Sequence, residues 1–189
     1  SVLQFFNSRR KNKHITVRIN KFAVISILLL TFLSFLSLIY SHIISDFSLI
    51  NVYQNSHSSK PLMYKIAGVW GNHEGSMLLW IFVLTIFNYF IYKLYNKKNI
   101  SFVSKALETQ SLIIIGFSLF TVLTSNPFTI TNEVNVDGLG FNPILQDPAL
   151  SIHPPFLYIG YVGFSAAFSL SIAALLDNNI NNIKWHIYM

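Results

Sequence analysis

The chain has 189 residues, of which 52% are hydrophobic and only 11% charged, well under the roughly 25% charged of a soluble domain. It has a formal charge of +6 and no cysteine. The lack of cysteine excludes disulfides, thiolate-ligated zinc or iron–sulfur centres and a thiol nucleophile from this chain, and the shortage of charged residues points to a membrane protein.

Four uncharged stretches are long enough to cross a bilayer, which takes about 20 residues of helix. The first is Phe22 to Ser45. The second runs from about Ser76 to Ile91, continuing through Tyr92 past Lys93, a residue able to snorkel. The third lies between Thr109 and Ser125, with a helical pattern beginning near Phe102, and the fourth is Pro154 to Leu176. Backbone groups in hydrocarbon must pair within the segment, so each stretch is expected as a helix. The fold class is therefore all-α: a polytopic integral membrane protein with two outward-facing loops, 46–75 and 126–153.

Basic residues orient the spans. Segment 1–21 holds Arg9, Arg10, Lys11, Lys13, Arg18 and Lys21; Lys93, Lys97, Lys98 and Lys105 lie between spans two and three; Lys184 is in the tail. Eleven of the thirteen Lys and Arg residues thus fall on one side, leaving Lys60 and Lys65 on the other. This places both termini inside, in the cytoplasm or matrix, and explains the basic charge by topology, so no nucleic-acid partner is expected. Three regions follow: a basic inner segment 1–21, a four-helix membrane domain 22–176 and a polar inner tail 177–189. The acid-free start also suits a mitochondrial targeting segment, but its continuity with the first span favours juxtamembrane charge. Abundant Asn, Ile, Phe, Ser and Lys fit an AT-rich organelle genome.

Stretches 51–59 and 178–182 read as polar connectors. Loop 126–153 differs. It carries the turn formers Asn126-Pro127, Asp137-Gly138, Asn142-Pro143 and Asp147-Pro148 together with Phe128, Leu139, Phe141, Ile144 and Leu145, and is expected to be structured against the outer membrane face.

Two outward segments carry candidate chemistry. Trp70-Gly71-Asn72-His73-Glu74-Gly75 precedes the second span. It combines an indole, a His–Glu pair and glycines that permit close backbone approach. On the residues alone it reads more readily as a helix start with an interfacial Trp, where the dipole favours Glu74. Zinc is disfavoured, since only one His is local and no HExxH spacing exists. The second segment runs from Leu139 to Tyr161. His153 precedes Pro154 and Pro155, which suit a first helical turn, so His153 is expected at the mouth of the fourth helix. A neutral imidazole there suits haem iron, and Tyr158 and Tyr161 could border a flat apolar ligand. A lone His at such a place is more often satisfied by loop carbonyls. Gly160, Gly163, Ala167, Ser171 and Ala174 form a small-residue stripe suited to helix contact. Nothing local selects His42; His14, His57 and His186 read as solvated.

Four elements now carry a resemblance. Residues 70–80, WGNHEGSMLLW, are similar to the CcmF pattern WGxHEGSxLLW; Thr124 to Phe128 resembles its TSNPF; Asn142 to Pro148 resembles its NPLLQDP; and Ile152 to Pro155 with Tyr158 to Phe168 resembles its HPPxLYxGYVGFSxAF. They occur in family order with family spacing over most of residues 50–176. The resemblance implies a haem lyase of the multi-protein cytochrome c maturation pathway. Its partners would be a CcmE-type haem chaperone, a CcmH-type thiol partner, apocytochrome c and membrane lipid, and its cofactor a substrate haem b. It also implies that His153 is the first outward axial ligand. The family's WWD segment, its second outward His and its transmembrane haem ligands have no counterpart here. The resemblance therefore implies one portion, N-terminal and not active alone, of a divided protein of the mitochondrial inner membrane, with a truncated chain or a bacterial inner-membrane protein as alternatives. A non-catalytic scaffold or accessory subunit of a larger respiratory or maturation complex is the rival function. A transporter is disfavoured, because almost no ionisable residue lies within the spans.

Overall fold

The computed structural model describes residues 13–94, 99–132, 136–140 and 142–177, without the side chains of Lys13, His14, Ile144 and Leu145. The expectations for Arg9, Arg10, Lys11, Lys97, Lys98, Phe141, Lys184 and His186 lie outside these residues. In order, the elements are α1 (Lys13–Ile43), α2 (Ile50–Asn55), α3 (Leu62–Gly68), α4 (His73–Lys93), α5 (Ile100–Thr124), a 3-10 turn (Pro143–Gln146) and α6 (Pro148–Asp177). Among the described residues, α1, α4, α5 and α6 are long and apolar enough to cross a membrane. The fold is all-α, and the only extended pairing described is an isolated antiparallel bridge between Leu49 and Ile130.

Three helix boundaries depart from the sequence reading. Helix α1 extends beyond Phe22 towards the N-terminus, over all the described residues from Lys13, because Arg18 and Lys21 are good helix formers and apolarity marks the lipid-crossing stretch rather than the helix end. The expected polar connector 51–59 is partly helix α2, with Asn51 and Val52 buried. Helix α6 begins at Pro148, so Pro154 and Pro155 lie inside it rather than opening it. Asp147 is the reason. Its Oδ1 accepts from the N–H groups of Ala149 and Leu150 at 2.9 and 3.0 Å, an N-cap followed by proline at the first helical position.

The chain divides into two compact units, one of Ser1–Leu30, Ile81–Ser118 and Gly160–Met189, the other of Thr31–Trp80 and Leu119–Ile159. The core of the first unit is Val24, Ile91, Phe102, Val103, Ala106, Leu107, Ala166 and Leu170. Lipid is as apolar as these side chains, so packing and polar links hold helices together there. Gln110 is such a link. Its amide nitrogen donates to Ser165 Oγ at 3.0 Å and its oxygen accepts from Ser169 Oγ at 2.8 Å, joining α5 to α6. Lys105 Nζ meets both Asp177 Oδ1 at 2.7 Å and the Leu176 carbonyl at 2.9 Å, tying α5 to the last described turn of α6. The small-residue stripe is only partly a contact. A Cβ on Gly163 would stand 3.2 Å from Phe87, whereas one on Gly160 would meet nothing within 4 Å.

In the second unit, α1 ends in a Schellman turn. Ser45 N–H donates to the His42 carbonyl and Asp46 N–H to that of Ser41, with Ser45 at φ 58°. The two loop regions then pair. Ile50 N–H donates to Thr129, Thr131 N–H to Ser48, Leu139 N–H to Tyr53 and Gly140 N–H to Ser56, at 2.8 to 3.1 Å. Gly138 fits where a Cβ would fall 2.0 Å from the Ser56 carbonyl. Loop 126–153 is thus structured, as expected, where it is described.

Candidate functional site

The Trp70-to-Gly75 turn is built by Asn72. Its Oδ1 accepts from Gly75 N–H at 2.7 Å, capping α4, and its Nδ2 donates to the Gly68 carbonyl at 2.7 Å. The chain folds back so tightly that a Cβ on Gly75 would lie 1.7 Å from the Val69 carbonyl oxygen. Gly71 N–H donates to the Ala67 carbonyl at 3.0 Å. Behind the turn, Asn72 Oδ1 also accepts from Asn51 Nδ2 at 2.7 Å, and Asn51 Oδ1 lies 3.0 Å from His42 Nε2. His42, fully buried, stacks under Gly68, where a Cβ would stand 3.1 Å from its Nδ1. A line of polar side chains thus runs from the end of α1 to the cap of α4.

Two contacts carry this turn to the other sequence elements. His73, the first residue of α4, places Nε2 2.8 Å from Ser125 Oγ at the end of α5, and its ring meets Phe120 edge-on. Trp70 donates its indole N–H to the Ser151 carbonyl in the first turns of α6 at 2.7 Å. The structure therefore brings together the WGNHEG, TSNPF and HPP elements, and Asp147 of the NPILQDP element caps the helix that bears HPP.

His153 is exposed on α6. One turn further on, where residues three and four apart share a face, Phe156 and Leu157 are exposed as well, at 68% and 41%. Tyr158 lies five residues from His153, roughly 140° around the helix, and packs edge-on against Trp80 with ring centroids 5.5 Å apart. Tyr161, in the first unit, is 63% exposed. Glu74 is half-buried beside a cavity of about 150 Å³ that Asn51, Gln54, Ser125 and Asn126 also line. That volume is below the several hundred Å³ of an ordinary ligand pocket, so it admits a small polar group and no porphyrin. Among the described residues, no three His, Cys, Asp or Glu side chains converge on a metal position. A haem iron takes one protein ligand on each face, and imidazole is a side chain chemically suited to that place.

The nearby loop pairing has its own electrostatics. Ser58 donates its hydroxyl and backbone N–H to Asp137 at 2.5 and 2.9 Å. With Gly138 N–H and the His57 ring 3.4 Å away, these bonds hold the Asp137 carboxyl down at about 2. His57 is therefore paired rather than simply solvated. Burial pushes the Lys60 ammonium down to about 8.

Residues to which the sequence reading gave no role of their own include Asn72, Ser125, Ser151, Asn51 and His42 as a network member. Asn72 was findable, because an Asn three residues before the helical Gly75 is an N-cap pattern. The others act through partners 9 to 81 positions away along the chain, which no local pattern encodes.

Comparison with known proteins agrees with these elements. Residues 70–189 match the family described as "Cytochrome C assembly protein". The chain is 50% identical over 148 residues to the cytochrome c-type biogenesis protein CycK of Bradyrhizobium diazoefficiens, covering 78% of this chain and 22% of that protein. It is 41% identical over 151 residues to the cytochrome c-type biogenesis protein CcmF of Haemophilus influenzae, covering 79% and 23%, and 38% identical over 150 residues to CcmF of Escherichia coli, again 79% and 23%. The chain spans less than a quarter of the length of these relatives. No solved structure matches it. With the match covering more than half of its residues and the sequence elements converging in one unit, the chain belongs to the cytochrome c assembly protein family, in the group of the CcmF and CycK proteins.

Proposed function

We propose that this multi-pass membrane chain is the N-terminal portion of a CcmF-type haem lyase and supplies His153 as one axial ligand of the haem being attached to apocytochrome c. The observation that carries this reading is the setting of His153. It is an exposed imidazole on a helical turn held from both sides, by the Asp147 cap and by the Trp70–Ser151 bond, with exposed Phe156 and Leu157 beneath it. A flat, mostly apolar porphyrin lies well against such a face, and the imidazole meets its iron.

Each thioether forms when a cysteine S–H of the apocytochrome adds across a haem vinyl group, with no atom lost. The chain's own contribution is orientation: it fixes the iron side so that the vinyl edges remain open to the thiols. Trp70, Gly71, His73, Glu74 and Gly75 build the supporting turn and take no chemical step. Pro154 and Pro155 leave the helix that bears the ligand without two of its backbone donors.

The remaining ligand and the WWD segment belong to other portions of the same lyase. Haem arrives from a CcmE-type chaperone, and the reduced apocytochrome is presented by a CcmH-type thiol protein. The one-sided distribution of Lys and Arg supports both termini on the inner side. An organelle-like composition supports the mitochondrial inner membrane.

The test uses the native complex purified with its partner chains. His153→Ala is expected to abolish haem attachment to apocytochrome c while assembly persists. Attachment at the normal level in that variant refutes the ligand role, and a complex lacking any haem-binding chain refutes the lyase reading.

A further inference from the structure

We infer that Trp70 is a positioning residue for His153: its indole N–H replaces the helix donor that Pro155 lacks, and thereby sets the turn on which His153 is carried. The inference rests on His153 being the haem ligand and deepens that reading.

Within α6, the Ser151 carbonyl should accept from the N–H of residue 155, four positions on. Residue 155 is proline and has none. Ser151 is 1% exposed, so water has little access to the carbonyl that is left over, and an unpaired buried carbonyl is rare in folded proteins. Trp70 Nε1 occupies the position of the missing donor at 2.7 Å. The indole is itself held by a stiff support. Its backbone N–H donates to the Ala67 carbonyl at 3.2 Å, and Asn72 clamps the same turn from both ends. A helix interrupted by proline can bend in more than one direction. The indole bond selects one of them, two residues before the imidazole. The bond thus couples the WGNHEG turn to the direction in which His153 points.

The native complex is compared as wild type, Trp70→Phe, Trp70→Phe/Pro155→Ala and Trp70→Phe/Pro154→Ala, with His153→Ala alongside. The readouts are amide hydrogen exchange across residues 149–157 and the visible spectrum and midpoint potential of bound haem. Trp70→Phe keeps the ring and removes the donor. It is expected to raise exchange in this turn about fivefold, the effect of one net hydrogen bond, and to convert part of the haem to a form lacking the His-ligated spectrum. Pro155→Ala returns an N–H opposite the Ser151 carbonyl and is expected to restore both readouts. Pro154→Ala returns one opposite Leu150 and is expected to restore neither. If Trp70→Phe fails to accumulate, recovery of accumulation by Pro155→Ala supports the inference and absence of recovery overturns it. Unchanged exchange in Trp70→Phe, equal rescue by both proline variants, or raised exchange with an unaltered haem spectrum overturns it. A haem spectrum that His153→Ala alters and Trp70→Phe leaves alone sinks only this inference. One that His153→Ala leaves alone overturns the ligand reading, and the positioning role with it.

Discussion

His73 Nε2 and Ser125 Oγ lie 2.8 Å apart, although 52 residues separate them along the chain. The pair joins the start of α4 to the end of α5, and Ser125 is almost fully buried. His73 thus serves as a tie between helix ends, a role that its place beside Glu74 does not reveal.

Removal of that tie by Ser125→Ala is expected to cost about 1 kcal/mol, the net worth of one hydrogen bond. A similar loss should follow from His73→Phe, which keeps a ring against Phe120, and the double variant should lose little more, because both changes delete the same bond. Thermal unfolding of the detergent-solubilised complex checks this. Fully additive losses would show that the two side chains do not act on each other.

Gly75→Ala is expected to prevent the 69–75 turn from closing, because the added Cβ would fall 1.7 Å from the Val69 carbonyl oxygen. Backbone must move, at a cost on the order of 3 kcal/mol. Gly160→Ala is the matched contrast. Its Cβ meets nothing within 4 Å, and helix propensity favours alanine by about 1 kcal/mol. Accumulation of the two variants in the membrane should differ sharply, and normal accumulation of Gly75→Ala would refute the packing argument.

The pairing of the 57–58 and 137–140 segments is expected to weaken only in strong acid. Asp137 has its carboxyl held at about 2, below the usual 3.8, first by the Ser58 hydroxyl and then by backbone N–H groups. A carboxyl whose folded value is depressed stabilises fully above its unfolded value, and that contribution disappears as pH falls through the folded one. Amide protection at Ser58 and Gly140 should therefore be steady above pH ~4 and decline towards pH ~2. Asp137→Asn should show reduced protection already at neutral pH. Protection insensitive to both changes would exclude Asp137 as the anchor.

Gln110→Leu is expected to loosen α5 from α6 by about 0.6–1.7 kcal/mol, the range for hydrogen bonds between helices in a membrane. The amide bonds to Ser165 and Ser169 are both lost. Ser165→Ala, which removes one partner, should fall between Gln110→Leu and the unaltered chain. Unfolding by titrated denaturing detergent provides the measurement, and a Gln110→Leu variant as stable as the wild type would contradict the linking role.

Much of the membrane architecture is readable along the chain. Each span is a local property, since twenty apolar residues must be helical in lipid whatever surrounds them. Helix ends are less so. Asp147-Pro148 reads as a loop turn and Pro154-Pro155 as the first helical turn, and only side-chain geometry decides which of them opens α6. Asp147 reaches the two N–H groups it must satisfy, and the later prolines are then accommodated within the helix.

What the sequence by itself determined, then, is a four-span membrane chain, its charge asymmetry and the elements that mark its family, because hydropathy and short-range motifs are written in consecutive residues. Only the tertiary structure decided what those elements do for one another. It set Trp70 against the carbonyl that Pro155 leaves unpaired, tied His73 to Ser125 and buried His42 behind Asn51. The physical reason is that a buried polar group must find a partner in space. Which residue lies within hydrogen-bond reach after the helices pack is a property of the fold, not of neighbours in the chain.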